Sequence, residues 1–208
     1  MELFKDDVLY LQNNLRIVDP VYGILKPLDR MQAYRLEMAT RNVLSSSGKK
    51  SEKSDAPIKL HEFWKDSVTK QLTQELQARP ADQQILLNLA SDEYAAAVAP
   101  SALQEGATDA QYVKVVFREQ GRVIAIHAKR ARGLMVRFLA ETKAATLEDV
   151  KKFDKEGYKL VAKDCDETTL VFDRSKQPPP SSAKGSKRAA APSDKATEAK
   201  TRGKKGKS

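Results

Sequence analysis

Between Gly121 and Leu139 the chain changes its hydrophobic period, and that change constrains the fold more than any other stretch. Val123-Ile124-Ala125-Ile126 is a short apolar run behind a glycine, which predicts a strand after a turn. From Ala128 the period is helical. Ala128, Ala131, Leu134, Met135 and Phe138 recur at three- and four-residue intervals and make one apolar face. Lys129, Arg130, Arg132 and Arg137 spread over the opposite half, with Gly133 among them. Cations in the first turn of a helix oppose its macrodipole, by roughly 0.3–1 kcal/mol each. Two readings follow: the cations hold an anion that Gly133 lets come close, or they form a solvated face and Gly133 serves helix packing.

The other elements are read in order. Residues 4–18 form an amphipathic pattern in which Phe4, Val8, Leu11, Leu15 and Val18 share one face, ended by Asp19-Pro20. Tyr22 to Asp29 is rich in turn formers and reads as a loop, and Met31 to Met38 as a short element of unassigned type. Residues 58–78 give a helix with Leu60, Phe63, Trp64, Val68, Leu72 and Leu76 as its buried stripe, closed by Pro80. Ile85 to Leu89 reads as a strand buried on both faces. Tyr112–Phe117 and Arg122–Ile126 read as a hairpin around Arg-Glu-Gln-Gly. Thr146 caps a short helix through Phe153, and 158–162 with 168–172 make a closing pair of strands. The fold class is therefore mixed α/β: a single domain over 1–174, with a central mixed sheet flanked by helices.

Two stretches are too polar to pack, a surface loop at about 44–57 and the Lys/Pro/Ala-rich tail 175–208, which reads as disordered. Charge separates along the same line. The formal net charge is +9, but Lys176–Ser208 carries ten Lys/Arg against two Asp/Glu, which leaves 1–175 near neutrality. The tail is thus expected to supply most non-specific nucleic-acid binding, while the domain offers at most a local basic patch. The single cysteine, Cys165, excludes an internal disulfide and fits a reducing compartment. Asp164, Asp166 and Glu167 beside it disfavour the thiolate, which argues against a peroxidatic role. No apolar run reaches membrane-span length. A cytoplasmic location is expected, or a nuclear one in a eukaryotic source through the basic tail.

Four stretches in series carry a resemblance. They are Tyr22-Gly23-Ile24-Leu25-Lys26-Pro27-Leu28-Asp29 with Tyr34-Arg35-Leu36-Glu37-Met38; Phe63-Trp64; Asn88-Leu89-Ala90-Ser91-Asp92-Glu93-Tyr94; and Ala128 through Arg137. Together they resemble the YaaA family of peroxide-stress resistance proteins over about residues 2–174. The resemblance implies a protein that limits free iron and Fenton damage during peroxide stress, with a positively lined cleft and DNA binding. It also implies that relatives carry roughly another half-domain ahead of the position of Met1, including the helix-hairpin-helix region credited with DNA contact. Ala33 stands where the family has proline. An incomplete domain that needs a partner or the absent N-terminal segment is the expected consequence.

Asp29, Arg35, Glu37, Asn88, Ser91, Glu93 and Tyr94 are polar residues beside apolar runs, placed either to line a cleft or to satisfy buried backbone. His61 and His127 have no metal-ligand spacing, and no nucleotide-loop or nucleophile-elbow motif is present, so neither a metal nor a cofactor is expected and no catalytic residue is assigned. Two function classes stand: a stress-response binding protein engaging DNA or another polyanion through Lys129, Arg130, Arg132 and Arg137, or an enzyme acting on a small anionic substrate in a basic cleft.

Overall fold

A computed structural model describes residues 4–41, 43, 58–107 and 109–175. The expected loop at 44–57 and the tail from 176 lie outside the described residues.

Three strands lie parallel because helical crossovers join one to the next: β3 (Ile85–Asn88), β4 (Gln111–Glu119) and β6 (Thr169–Arg174). The two-residue β5 (Lys159–Leu160) closes the sheet antiparallel to β6, giving the order β3-β4-β6-β5. Two short helices, α3 (Asp92–Ala95) and α4 (Pro100–Gly106), lead from β3 to β4. The basic helix α5 (Ala125–Thr142) and α6 (Leu147–Lys151) lead from β4 toward β6. Thr146 caps α6 as expected, its Oγ1 accepting from the Asp149 N–H at 3.3 Å.

The stripe on α5 lands on the sheet. Ala128, Ala131, Met135 and Phe138 are buried against Val113, Val115 and Phe117 of β4 and Leu170 and Phe172 of β6. Phe117 stacks on Phe172 at 5.7 Å and meets Tyr158 edge-on at 5.3 Å, while Phe153 stands edge-on to Phe172 at 5.5 Å. Five aromatic rings thus close one face of the sheet, with geometry worth about 0.5–1.5 kcal/mol per pair beyond burial.

This packing overrules the expected hairpin. Gln120 and Gly121 both have positive φ, as a type I′ turn requires, and Arg122 makes one bridge to Glu119. There the second strand ends and α5 begins at Ala125. To lie along β4, α5 must start beside its carboxyl end, and burying four apolar side chains outweighs a short strand's local preference. Val123 and Ile126 remain 60% and 73% exposed as a result.

Ahead of the sheet stand α1 (Lys5–Asn14), a two-stranded ribbon of β1 (Ile17–Asp19) and β2 (Gly23–Leu25), and α2 (Leu60–Gln77). The first helix is therefore shorter than 4–18, and Val18 belongs to a strand. The 22–29 stretch contains a strand instead of running wholly as a loop, while Met31–Met38 takes no regular form. Asp19 organises this corner: its carboxylate accepts from the Val21 and Tyr22 N–H groups at 2.8 Å and from the Tyr34 hydroxyl. The Trp64 indole donates to the Pro20 carbonyl at 3.0 Å, and its ring lies so close to Gly23 (φ +75°) that a Cβ there would sit 2.7 Å from it. Trp64 also packs with Leu36, Met38 and Tyr94. Val68, Leu72 and Leu76 of α2 are buried as read, but Phe63 is 52% exposed. The reading of β3 as buried on both faces is also corrected. It is an edge strand whose first three residues are half-buried, because among the described residues only β4 pairs with it.

Candidate functional site

A cleft of about 670 Å³ opens along β3, between α2 on one side and α5 on the other. Its floor is Ile85, Leu86 and Leu87, and α1 spans it like a strut. The strut is fastened by polar contacts at its ends. The Tyr10 hydroxyl donates to the Ala144 carbonyl at 2.6 Å, and Lys143 pairs with Asp7. On the α2 side Arg16 donates to Glu75 at 2.6 Å and Arg79 to Asn14 at 3.0 Å. Asp7 is the one buried residue of α1, while Leu11, Leu15 and Val18 line the cleft. Burial pushes the Glu75 carboxyl up, but the Arg16 guanidinium outweighs it and holds the group below its ordinary value. The Lys143 hydrogen bond holds Asp7 low.

The polar end lies where β3 finishes. Asn88 donates from Nδ2 to the Tyr112 hydroxyl at 2.8 Å and accepts the Ala90 N–H on Oδ1 at 2.9 Å, so its amide is fixed in one orientation. Ser91, Tyr94, Arg132 and Gly133 complete that end. Arg132 is the group that stands apart. Its Nε is buried and has no hydrogen-bond partner, and no ion pair reaches its guanidinium among the described residues. Its charge is nonetheless felt at Asp92, whose carboxyl is held low first by Lys114, bonded to it at 2.7 Å, and further by Arg132. Burial pushes the Tyr112 phenol up, so it stays a neutral donor across the physiological range. Around Gly133 a Cβ would meet nothing within 4 Å, so helix packing does not account for this glycine.

The structure thus gathers four of the eleven predicted site residues: Asn88, Ser91, Tyr94 and Arg132. The rest lie elsewhere. Asp29 is exposed and accepts the Lys26 N–H at 2.8 Å in its own turn. Arg35 and Glu37 are exposed, and Glu93 of α3 accepts the Ala39 N–H at 2.8 Å, tying that helix to the 31–40 segment. Arg130 pairs with Glu156, and Arg137 with Glu141 at 2.7 Å, on other sectors of α5; Lys129 is exposed. The four cations of α5 therefore do not form one surface, because a 100° step per residue turns Arg132 toward the cleft and its neighbours away.

Two features escaped the sequence reading. Tyr112 sits one residue inside β4, where alternation alone marks it as facing away from Val113. The second is a network at the carboxyl ends of β4 and β6. Buried Arg174 donates to Glu119 at 2.9 Å, lies 4.7 Å over the Tyr158 ring and reaches Glu156 at 3.4 Å, and His127 Nδ1 is 3.0 Å from Glu119. Its members sit 55 residues apart, beyond any local motif. Cys165 is held between the Val161 carbonyl and the Val171 N–H, both at 3.3 Å. Among the described residues no group of three or more His, Cys, Asp or Glu is placed to hold a metal ion, and no helix is long and apolar enough to cross a membrane.

Comparison with known proteins places this arrangement in a family. The family model described as "Peroxide stress protein YaaA" matches residues 1–164. A UPF0246 protein of Aliivibrio fischeri is 41% identical over 179 residues, 84% of this chain and 62% of its own length. A UPF0246 protein of Chromobacterium violaceum is 44% identical over 172 residues, 81% of this chain and 60% of that protein. One of Flavobacterium johnsoniae is 42% identical over 164 residues, 79% and 59% of the two chains. The chain thus spans about three-fifths of the length of the relatives it matches, and it belongs to the YaaA family of peroxide stress proteins.

Proposed function

We propose that this chain acts in the peroxide-stress response by binding a small ligand with an anionic group and an apolar body in the cleft along β3. The observation that carries the reading is Arg132. A buried guanidinium nitrogen without a partner is costly, about 1–3 kcal/mol for an unmet donor, and that cost is removed when an anion accepts from it. Ser91, Tyr94 and Tyr112 offer hydroxyl donors at the same end, Gly133 leaves room for close approach, and the leucines of β3 face the ligand's apolar part. The carboxyl end of a parallel strand is also the usual ligand edge of such sheets. These groups bind and orient the ligand.

The test is a thermal-shift screen of phosphorylated and carboxylated metabolites on the 208-residue chain. A true ligand gives a saturable rise, about 2.7 kcal/mol at one hundred times its Kd. Arg132→Ala is expected to weaken that ligand at least tenfold, since a hydrogen bond to a charged group is worth about 1.5–3 kcal/mol, while leaving the free protein at least as stable, because the unmet donor goes with the side chain. A large loss of stability with binding retained would make Arg132 structural and overturn the assignment.

The polyanion reading, with DNA contact and control of free iron as the resemblance implies, draws on exposed Lys129 and on the charge of Lys176–Ser208. DNA affinity that falls steeply with salt, ignores Arg132→Ala and disappears on removal of the tail would favour it.

A further inference from the structure

We infer that Tyr34 and Tyr22 form an oxidation site, at which a one-electron oxidant joins the two rings into a dityrosine while Asp19 takes up the Tyr34 proton. The geometry begins at Asp19, buried at the turn between β1 and β2. Its Oδ1 accepts the Val21 and Tyr22 N–H groups at 2.8 Å, and its Oδ2 accepts the Tyr34 hydroxyl. One carboxylate therefore holds both tyrosines. Their ring centroids lie 6.1 Å apart with the planes inclined at 56°, and the Gln32 N–H donates to the Tyr22 hydroxyl at 3.2 Å.

What singles out Tyr34 is its acceptor. Of the six tyrosines, it is the one whose hydroxyl donates to a carboxylate among the described residues. Tyr10 donates to a backbone carbonyl, and Tyr112 accepts from Asn88. Partial burial first, and the hydrogen bond to Asp19 next, push the Tyr34 phenol up, so it meets an oxidant with its proton in place. A phenol that loses an electron becomes a strong acid, so its oxidation is easiest where a base already holds the proton. A charge-assisted O–H···O⁻ bond is such a path. Tyr22 and Tyr34 are also 39% and 38% exposed, within reach of an oxidant in solution, whereas Tyr158 is buried.

The reaction balances over two electrons. The oxidant takes one electron from Tyr34, whose phenolic proton passes to Asp19 Oδ2 and on to water. A second equivalent takes one electron from Tyr22, whose proton goes to water. The two phenoxyl radicals couple through one carbon–carbon bond between ortho carbons. Each ortho hydrogen then leaves as a proton while a proton returns to the oxygen of that ring. The chain has lost two electrons and two protons, and hydrogen peroxide acting through a haem peroxidase gains them and becomes two waters. Proximity supplies a high effective concentration of one ring at the other. The Met31–Met38 segment has no regular structure, which leaves Tyr34 free to close the remaining distance. Neither ring lines the cleft, so the inference stands independently of the ligand proposed above.

The 208-residue chain is to be treated with a haem peroxidase and one equivalent of hydrogen peroxide, digested, and mapped by mass spectrometry, with dityrosine fluorescence as a second readout. The expected product is a peptide pair joined through Tyr22 and Tyr34 and two hydrogen atoms lighter than its parts. Its yield is expected not to change with chain concentration. Tyr34→Phe and Tyr22→Phe each lower the fluorescence at least tenfold. In Tyr22→Phe the first radical has no partner, and a nitroso spin trap is expected on Tyr34. Asp19→Asn, in a chain whose circular dichroism is unchanged, slows cross-linking at least tenfold; an unchanged rate overturns the role of Asp19. Consumption of the oxidant without a cross-link, a bond between another pair of tyrosines, or a trap found on Tyr94 or Tyr112 overturns the inference. So does a yield that rises with concentration, which would mean links between separate chains.

Discussion

The two sides of β3 follow different rules. Toward β4, β6 and α5, Phe117, Phe138, Phe153, Tyr158 and Phe172 interlock in a closed core, with Phe172 and Met135 fully buried. Toward α1, the same kind of leucines line an open cleft, and ion pairs hold the walls in place. The contrast separates the packed core that keeps this protein folded from the cleft beside it. Dispersion and apolar burial stabilise the first region, whereas the second relies on partly buried ion pairs, whose desolvation offsets much of their attraction.

Phe172→Ala breaks the comparison from its strong side. It removes a ring with 0% exposure from contacts with Phe117 and Phe153, and is expected to cost about 3–5 kcal/mol, read as a lowered denaturant midpoint. Gly133→Ala acts in the opposite sense. A helix-interior glycine costs about 0.8–1.0 kcal/mol relative to alanine, and no atom lies within 4 Å of the new Cβ, so the chain alone is expected to gain stability by about that amount. Leu11→Ala, on a half-buried side chain facing open volume, is expected to cost about 0.5 kcal/mol or less. A loss near that of Phe172→Ala would show that the cleft is closed in solution and erase the distinction.

Acid sharpens the comparison without touching the core. Asp7 and Glu75 have folded-state pKa values below their unfolded ones, Asp7 chiefly through Lys143, Glu75 through Arg16 against the opposing effect of burial. A depressed carboxyl contributes stability that is complete above its unfolded pKa, about 3.9 for Asp and 4.3 for Glu, and is lost as pH falls through the folded value. Amides of α1 are therefore expected to lose protection below about pH 4, before those of α5 do. Simultaneous loss would mean that α1 is packed and not merely tethered.

How much of this was legible depends on where the information lies. The stripes of α2 and α5, the Thr146 cap and the β5–β6 pair were readable because each is set by neighbours within a few residues, where period and capping chemistry act. Of the site, Asn88, Ser91 and Tyr94 could be read because they follow an apolar run at a strand's end. Arg132 was visible only as one of four cations. Its sequence does not tell it from Arg130, which a glutamate 26 residues away neutralises.

What the sequence determined by itself is the mixed α/β class, the family and the division between a near-neutral domain and a strongly basic tail, since composition and short-range periodicity are properties of the chain alone. Tertiary structure decided the rest. It converted Val123–Ile126 from strand to turn and helix start, because covering the sheet was worth more than local preference. It put β3 on an edge, a matter of how many strands are present to flank it and not of its own apolar run. And it chose Arg132 alone among the cations of α5 to face the cleft, because which acids stand within reach of a guanidinium is fixed by the packing of segments far apart in sequence.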